Sequence, residues 1–366
     1  MKPITIYNHD IRHCLPKGWD GWDLYSGRAA GISLPSDIVQ MRPEMRELWP
    51  GITRHYGNIG LSHSRNPVWD ISFSVFERFP LSKASPFIFT DAVNQNSEEG
   101  AWLRRQDPAR MNVVNYINSK NNFIILARKM GLRTPVTLTF ENAETISLDS
   151  SDFPCFLKPS VSVSGFGITR CETREELEQA LQEMPDNAPC QVQEVITANY
   201  FLNLQYEVTK GGAQRFAATE QILEGCVHSG SRYPVPDPPW ELLDPLADWL
   251  AEKGIKGVFA FDLAVTGSRQ NPEYFTLECN PRFNGSTYPV VIARKLGIRA
   301  WSCENFSTGH RRLHELDFSG IEYDSTTGEG IILVNWGTVL AGYLGILLAG
   351  TDEQQGRVRH ELLKRL

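Results

Sequence analysis

Residues 257–289, GVFAFDLAVTGSRQNPEYFTLECNPRFNGSTYP, constrain this chain more than any other stretch, because they set two carboxylates to meet across a strand pair. Two apolar, β-rich runs, 257–266 and 274–280, flank a linker, 267–273, whose Gly, Ser, Asn and Pro are turn formers, and this predicts an antiparallel hairpin. Symmetric closure sets Asp262 opposite Glu278. Period-2 alternation then places Asp262, Glu278 and Asn280 on one face and Phe259, Phe261, Leu263, Phe275 and Leu277 on the core face. Opposed carboxylates with Cβ atoms about 5 Å apart repel, so a partner of opposite charge is needed. Oxygen donors from Asp, Glu and Asn suit Mg²⁺, which keeps waters and is held by one or two carboxylates plus substrate phosphates. The other reading is a solvent-exposed carboxylate at a frayed strand end.

With 366 residues, 41% of them hydrophobic, the chain can bury more than one core, so several domains are expected. A net charge of −7 argues against a surface that tracks a phosphate backbone, and nucleic acid is not an expected partner. The opening, MKPITIYNHDIRHCLP, is too polar for a signal peptide, and the seven cysteines show no C-x-x-C spacing. Both point to a cytoplasmic protein. The longest apolar run, 331–350, contains Asn335 and glycines 337, 342, 345 and 350, which predicts two buried strands around a turn and no membrane span.

Residues 1–118 read as an α/β module with strands at 4–7, 69–76 and 87–90 and a short helix at 42–49. His9, Asp10, Arg12, His13 and Arg28 either line a substrate pocket there or are solvated loop residues. From Ser119 a helix is predicted, with Phe123, Ala127 and Met130 on one face, Ile124 and Leu126 beside them, and Gly131 as its stop. Lys120 lies in its first turn, where the helix dipole favours anions, so it faces either a bound anion or solvent. Strands at 136–140 and 153–158 lead into residues 159–167, PSVSVSGFG, a loop whose small residues could turn backbone N–H groups around a phosphate beside Lys158. It is not a P-loop, because the lysine precedes the glycines. A capping box of Thr173 and Glu176 opens a further helix with Leu177, Ala180, Leu181 and Met184 buried. Strands follow at 191–196, 200–209 and 214–223, with Phe201, Asn203, Gln205 and Glu207 on the exposed face of the second. A Pro-rich linker, 233–239, and a helix, 240–253, with an internal Pro245 return the chain to the hairpin.

A lysine at a helix start, a strand-end lysine with a Gly/Ser loop, a Q-E-V-I segment, then Asp and Glu-x-Asn followed by Pro-Arg occur in one order. Over residues 115–350 this order resembles the ATP-grasp superfamily of carboxylate–amine ligases. The resemblance implies an α/β fold of two α+β lobes sandwiching ATP, divided as an N-terminal pre-ATP-grasp domain at 1–118, an N-lobe at 119–196 and a C-lobe with the metal site at 197–366. It implies that Lys120 and Lys158 hold ATP phosphates, under a mobile loop of Ser162, Ser164, Gly165 and Gly167. Gln193, Glu194 and Ile196 match the hinge that meets adenine. Asp262, Glu278 and Asn280 match ligands of Mg²⁺, or of Mn²⁺ in its stead, and Arg282 matches the arginine that steadies the transferring phosphate, with Lys158 as its catalytic companion.

Two departures stand out. Tyr200 occupies the place of a ribose-binding carboxylate, and Ala260 stands where some ligases carry a second arginine. The implied reaction makes an acyl phosphate from a small carboxylate, an amino acid or related acid, and passes it to an amine, as in natural-product assembly. A carrier-protein thiol as acceptor, a small-molecule kinase and a non-catalytic nucleotide module are the alternatives. His228, Ser231 and Arg232, read as a polar loop, are either substrate contacts or exposed loop residues.

Overall fold

The computed structural model describes residues 3–14, 24–89, 98–148, 152–162, 165–185 and 187–366. The chain forms two compact units, one of residues 1–106, 229–235 and 283–366, the other of residues 107–228 and 236–282. This differs from the division at 118 and 196 implied by the resemblance. Residues 283–366 pack with the N-terminal segment instead of extending the metal-site lobe.

The first unit holds a parallel sheet in the order Asn66–Val68, Ile38–Gln40, Thr5–Asn8, Lys83–Pro86. The α/β reading of this segment holds, but two expected strands do not. Asp70 Oδ1 accepts from the Ser72 N–H at 2.9 Å, and the Gln40 amide takes the Asp70 and Ser72 carbonyls at 2.7 and 2.8 Å. Those backbone groups are turned into a side-chain-bonded bend, so residues 69–76 carry no ladder and close with a short helix, Ser74–Glu77. Likewise the edge strand is Lys83–Pro86, and the Phe87 N–H donates to Asn8 O as the last rung before irregular chain. Thr90 lies outside the described residues. The helix expected at 42–49 is a 3₁₀ turn, Pro43–Leu48, that continues into Trp49–Asn58.

In the same unit the 331–350 run forms Gly330–Asn335 and Tyr343–Ala349 around a 3₁₀ turn, Gly337–Ala341, as its glycines suggest. Trp301–Ser307 pairs antiparallel with Tyr343–Ala349, and residues 230–233 pair antiparallel with 301–304. Among the described residues no helix is long and apolar enough to cross a membrane.

The second unit has two antiparallel sheets. The smaller runs Thr137–Phe140, Cys190–Glu194, Cys155–Pro159, Thr169–Cys171, and the helix Arg174–Gln182 closes it with Leu177 and Ala180. Thr173 caps that helix through the Glu176 N–H, but the Glu176 carboxylate reaches one residue further back, to the Glu172 N–H. The larger sheet runs Asn271–Asn280, Gly257–Ser268, Tyr200–Thr209, Gly212–Glu224, and is backed by Trp240–Glu252 and Lys120–Lys129. Phe259, Phe261 and Leu263 are fully buried in its core.

The central hairpin is longer than its turn residues suggest. Pairing continues from Asp262↔Glu278 out to Ser268↔Asn271, leaving only residues 269 and 270 as the loop. One extra residue, Leu277, sits between the pairs Asp262↔Glu278 and Leu263↔Thr276 as a β-bulge. Beyond it the alternation is reversed. Phe275 therefore opposes Ala264 on the carboxylate face, and Thr276, with no exposure, takes the core position expected for Leu277. Phe275 is covered there by the Arg133 guanidinium, 4.2 Å from the ring centre.

Gly267 adopts φ +77°, and a Cβ on it would lie 2.5 Å from Asn271 O across the hairpin end. Gly267→Ala combines a left-handed backbone with a backbone clash, and is expected to cost about 1–3 kcal/mol, read as a lower urea midpoint at unchanged slope. A midpoint equal to that of the wild type would contradict the described turn.

Candidate active site

The helix Lys120–Lys129 starts where Ser119 accepts from the Asn122 N–H, buries Phe123, Ile124 and Ala127, and ends before Gly131 at φ +76°. This fixes Lys120 in the first turn. It is only 7% exposed, and its Nζ lies 2.9 Å from Glu278 Oε2 and donates to Ser162 Oγ at 3.2 Å. The anion facing the lysine is thus a carboxylate of the hairpin.

Asp262 and Glu278 are register partners, as the hairpin predicts, yet they are charged differently. Burial opposes ionisation of Glu278, but Lys120, by charge and hydrogen bond, with Arg282 and Lys158, holds its carboxyl well below the usual range. Burial and the facing Glu278 then push Asp262 well above that range, against the Asn203 hydrogen bond and the Arg282 charge. Three neutral amides donate to Asp262. Asn203 and Gln221 donate to its Oδ1 at 2.6 and 2.7 Å, and Asn280 donates to Oδ2 at 2.8 Å. Neither Asn203 nor Gln221 was among the expected site residues. Asn203 lies on the strand face expected to be solvated, but that face is buried at Asn203 and Gln205. The alternation was its signal, since a polar residue on a regular strand needs a reason; the reason, direct register with Asp262, is a pairing between distant segments.

The donor set suits a hard divalent cation. Two carboxylates lie side by side with one of them unbalanced, and Asn280, by giving its Nδ2 to Asp262, leaves its carbonyl oxygen as an acceptor. Among the described residues no group of three His, Cys, Asp or Glu side chains could hold a metal. The donors this face presents are two carboxylates and an amide, Asp262, Glu278 and Asn280.

Arg282 extends from the end of the hairpin, and its Nη1 donates to Asn118 Oδ1 at 2.8 Å. Lys158, at the end of Cys155–Pro159, donates to Gln193 Oε1 at 2.6 Å, and the Gln193 amide in turn donates to Thr137 Oγ1 at 3.0 Å. Burial lowers the Lys158 pKa to about 8, with Lys120 adding to the shift and Glu278 opposing it. Ser162 joins the cluster through Lys120; Ser164 lies outside the described residues. Gly165 and Gly167 both adopt positive φ, and a Cβ on Gly165 would fall 2.5 Å from Cys226 O, so the loop rests directly on the turn that holds Cys226.

The Q-E-V-I segment is used differently from its side-chain expectation. Gln193 supports Lys158, and Glu194 Oε1 accepts from the Val136 N–H at 2.7 Å, while the segment's strand is Cys190–Glu194 and stops before Ile196. Residues 228–232 are not a loop, because they belong to the strand Val227–Tyr233. Its alternation sets Ser231, whose hydroxyl lies 2.6 Å from Ser286 Oγ, opposite to His228 and the exposed Arg232. Those three residues do not form one constellation.

In the first unit the solvated reading of the N-terminal residues is overturned for three of them. His9, Asp10 and Arg28 are buried at 0, 3 and 7% exposure, whereas Arg12 is exposed. The His13 side chain lies outside the description.

No family model matches the chain, and no curated protein matches it. Solved structures do. The N5-carboxyaminoimidazole ribonucleotide synthetase of Thermus thermophilus aligns at TM-score 0.60 and 15% identity over 99% of both chains. A biotin carboxylase–β-γ-ATP complex from Campylobacter jejuni aligns at 0.60 and 11%, over 100% of this chain and 92% of that one. The N5-carboxyaminoimidazole synthetase of Staphylococcus aureus complexed with ADP aligns at 0.54 and 10%, over 92 and 98%. The chain thus has the ATP-grasp fold, as the order of its motifs implies.

The lowered Lys158 pKa has a sign that can be tested without ligand. The folded protein releases this proton near pH 8 and the unfolded chain near its ordinary 10.5, so between these values the unfolded state binds more protons and stability rises with pH. Relative to Lys158→Met, the wild type is expected to gain stability from pH 8 to 10.5 in urea titrations of both proteins. A pH-independent difference would mean that the ammonium is not desolvated.

Proposed function

We propose that this chain is an ATP- and Mg²⁺-dependent ligase that activates the carboxylate of a small acid, an amino acid or a related compound, and joins it to an amine. One observation carries the reading: Lys120, Lys158 and Arg282 converge on the half-buried pair Asp262 and Glu278 within one unit. The structural neighbours, N5-carboxyaminoimidazole ribonucleotide synthetases and a biotin carboxylase solved with ATP, ADP or β-γ-ATP, support it.

A carboxylate is a poor electrophile. Its oxygen attacks the γ-phosphorus of ATP, the bond to the β-phosphate oxygen breaks, and ADP leaves from an acyl phosphate. An amine then attacks the acyl carbon, expels inorganic phosphate and loses a proton. In this transfer the protein mainly positions groups and stabilises charge. Lys120 and Lys158 balance phosphate charge, with Lys158 steadied by Gln193. Arg282, oriented by Asn118, would turn its guanidinium toward the transferring phosphoryl oxygens. Asp262, Glu278 and Asn280 would hold Mg²⁺, which when bound would draw charge off the nucleotide phosphates. The Ser162–Gly167 loop would shield the acyl phosphate from water. All seven cysteines are free thiols, which suits work in the cytoplasm. A carrier-protein thiol would react with the same intermediate.

Incubation with ATP, Mg²⁺, an amino-acid panel and amine acceptors is expected to release ADP and phosphate in equal amounts with a new amide. AMP as the nucleotide product would overturn the reading, and a phosphorylated product without free phosphate would make the chain a kinase. Glu278→Gln is expected to lower turnover about 10²-fold or more.

A further inference from the structure

Among the described residues three arginine or lysine side chains are buried below a tenth of their surface: Arg28, Arg42 and Lys120. Two have a carboxylate. Arg42 Nε lies 2.9 Å from Asp10 Oδ2, and Lys120 pairs with Glu278. Arg28 has none among the described residues. Its guanidinium lies against rings instead, 4.2 Å from the centre of Tyr288, 5.1 Å from Tyr25 and 5.3 Å from Phe87, and its buried Nε finds no acceptor. Ring faces attract a cation but satisfy few of five forked N–H donors.

The described surroundings leave that charge uncancelled. Asp10, a nearby carboxylate in sequence and sheet position, is committed to Arg42 through Oδ2 and to the Arg12 N–H through Oδ1. His9, with no exposure, has its Nδ1 2.8 Å from the Tyr288 hydroxyl and its Nε2 3.4 Å from Ser85 Oγ. Burial, with Arg28 adding, lowers the His9 pKa to about 3, so it is neutral at physiological pH. Among the described residues the local charge is thus a single positive one, bordered by the half-buried rings of Tyr25 and Phe283. One forked cation matches a carboxylate monoanion, whereas a phosphate dianion would call for a second cation.

We propose that Arg28 is the anchor of a small-molecule site in the first unit that takes a single carboxylate of an organic acid between Tyr25, Phe87 and Tyr288. That this acid is a substrate of the enzyme rests on the ligase reading; that it binds here does not.

The test uses the full chain without nucleotide, with acetate, benzoate and the L-amino acids as probes and inorganic phosphate for comparison, read by calorimetry and thermal shift. At least one carboxylate is expected to bind and to lose about 30-fold or more in affinity with Arg28→Met. Arg28→Lys, which keeps the charge without the fork, should fall between them. Unliganded Arg28→Met is expected to melt at or above the wild-type temperature, because an apolar side chain relieves an unpaired buried charge. A purely packing arginine predicts a lower one. Absence of carboxylate binding, affinity unchanged in either variant, or phosphate as the tighter Arg28-dependent ligand would each overturn the proposal. Arg28-dependent carboxylate binding without ADP formation would sink the ligase reading alone. Undiminished kcat/KM for the acid in Arg28→Met would sink this inference alone.

Discussion

The ion pair of Lys120 and Glu278 is the interaction on which the second unit's chemistry depends. It ties the first turn of the Lys120–Lys129 helix to the end of the hairpin and settles which of two facing carboxylates keeps its charge. At an effective dielectric of ~20, unit charges about 4 Å apart attract by ~4 kcal/mol, enough to overcome the partial desolvation of Glu278. With Glu278 ionised, a second bare carboxylate opposite it is disfavoured, and Asp262 is accordingly surrounded by amide donors from Asn203, Gln221 and Asn280. One pair thus creates the need that the neighbouring strands meet.

The two units treat buried charge in contrasting ways. In the second, three cations are gathered around two acids, and their supports, Asn118 for Arg282 and Gln193 for Lys158, are themselves neutral amides that orient without neutralising. In the first, Asp10 and Arg42 cancel one another, His9 is kept neutral, and Arg28 is left with aromatic faces. Orienting a charge with a dipole preserves it for a ligand, whereas pairing it consumes it.

Legibility differed along the chain for identifiable reasons. The helix at Lys120, the strand Tyr200–Thr209 and the opposition of Asp262 to Glu278 followed from apolar periodicity, a stopping glycine and symmetric closure of a hairpin around turn-forming residues. The N-terminal third was less readable because its aromatic runs imitate strands. At Trp69 the bend is made by Asp70 and by the distant Gln40 side chain, which takes the carbonyls a ladder would need. The reversal at Leu277 had no local signal either, since a bulge depends on how two strands register as a pair.

By itself the sequence determined the periods, the caps and the order of lysines, loop and acids, and that order carried the resemblance that implied the ATP-grasp fold. Those are properties of neighbours along the chain, and short-range sterics and apolar burial decide them. Only the tertiary structure decided that Lys120 meets Glu278, that Asn203 and Gln221 support Asp262, that Gln193 braces Lys158, and that Arg28 is buried with no acid beside it among the described residues. Each of those depends on register or packing between segments distant in sequence. At Asp262, partners from two other strands arrive together only once the sheet has assembled.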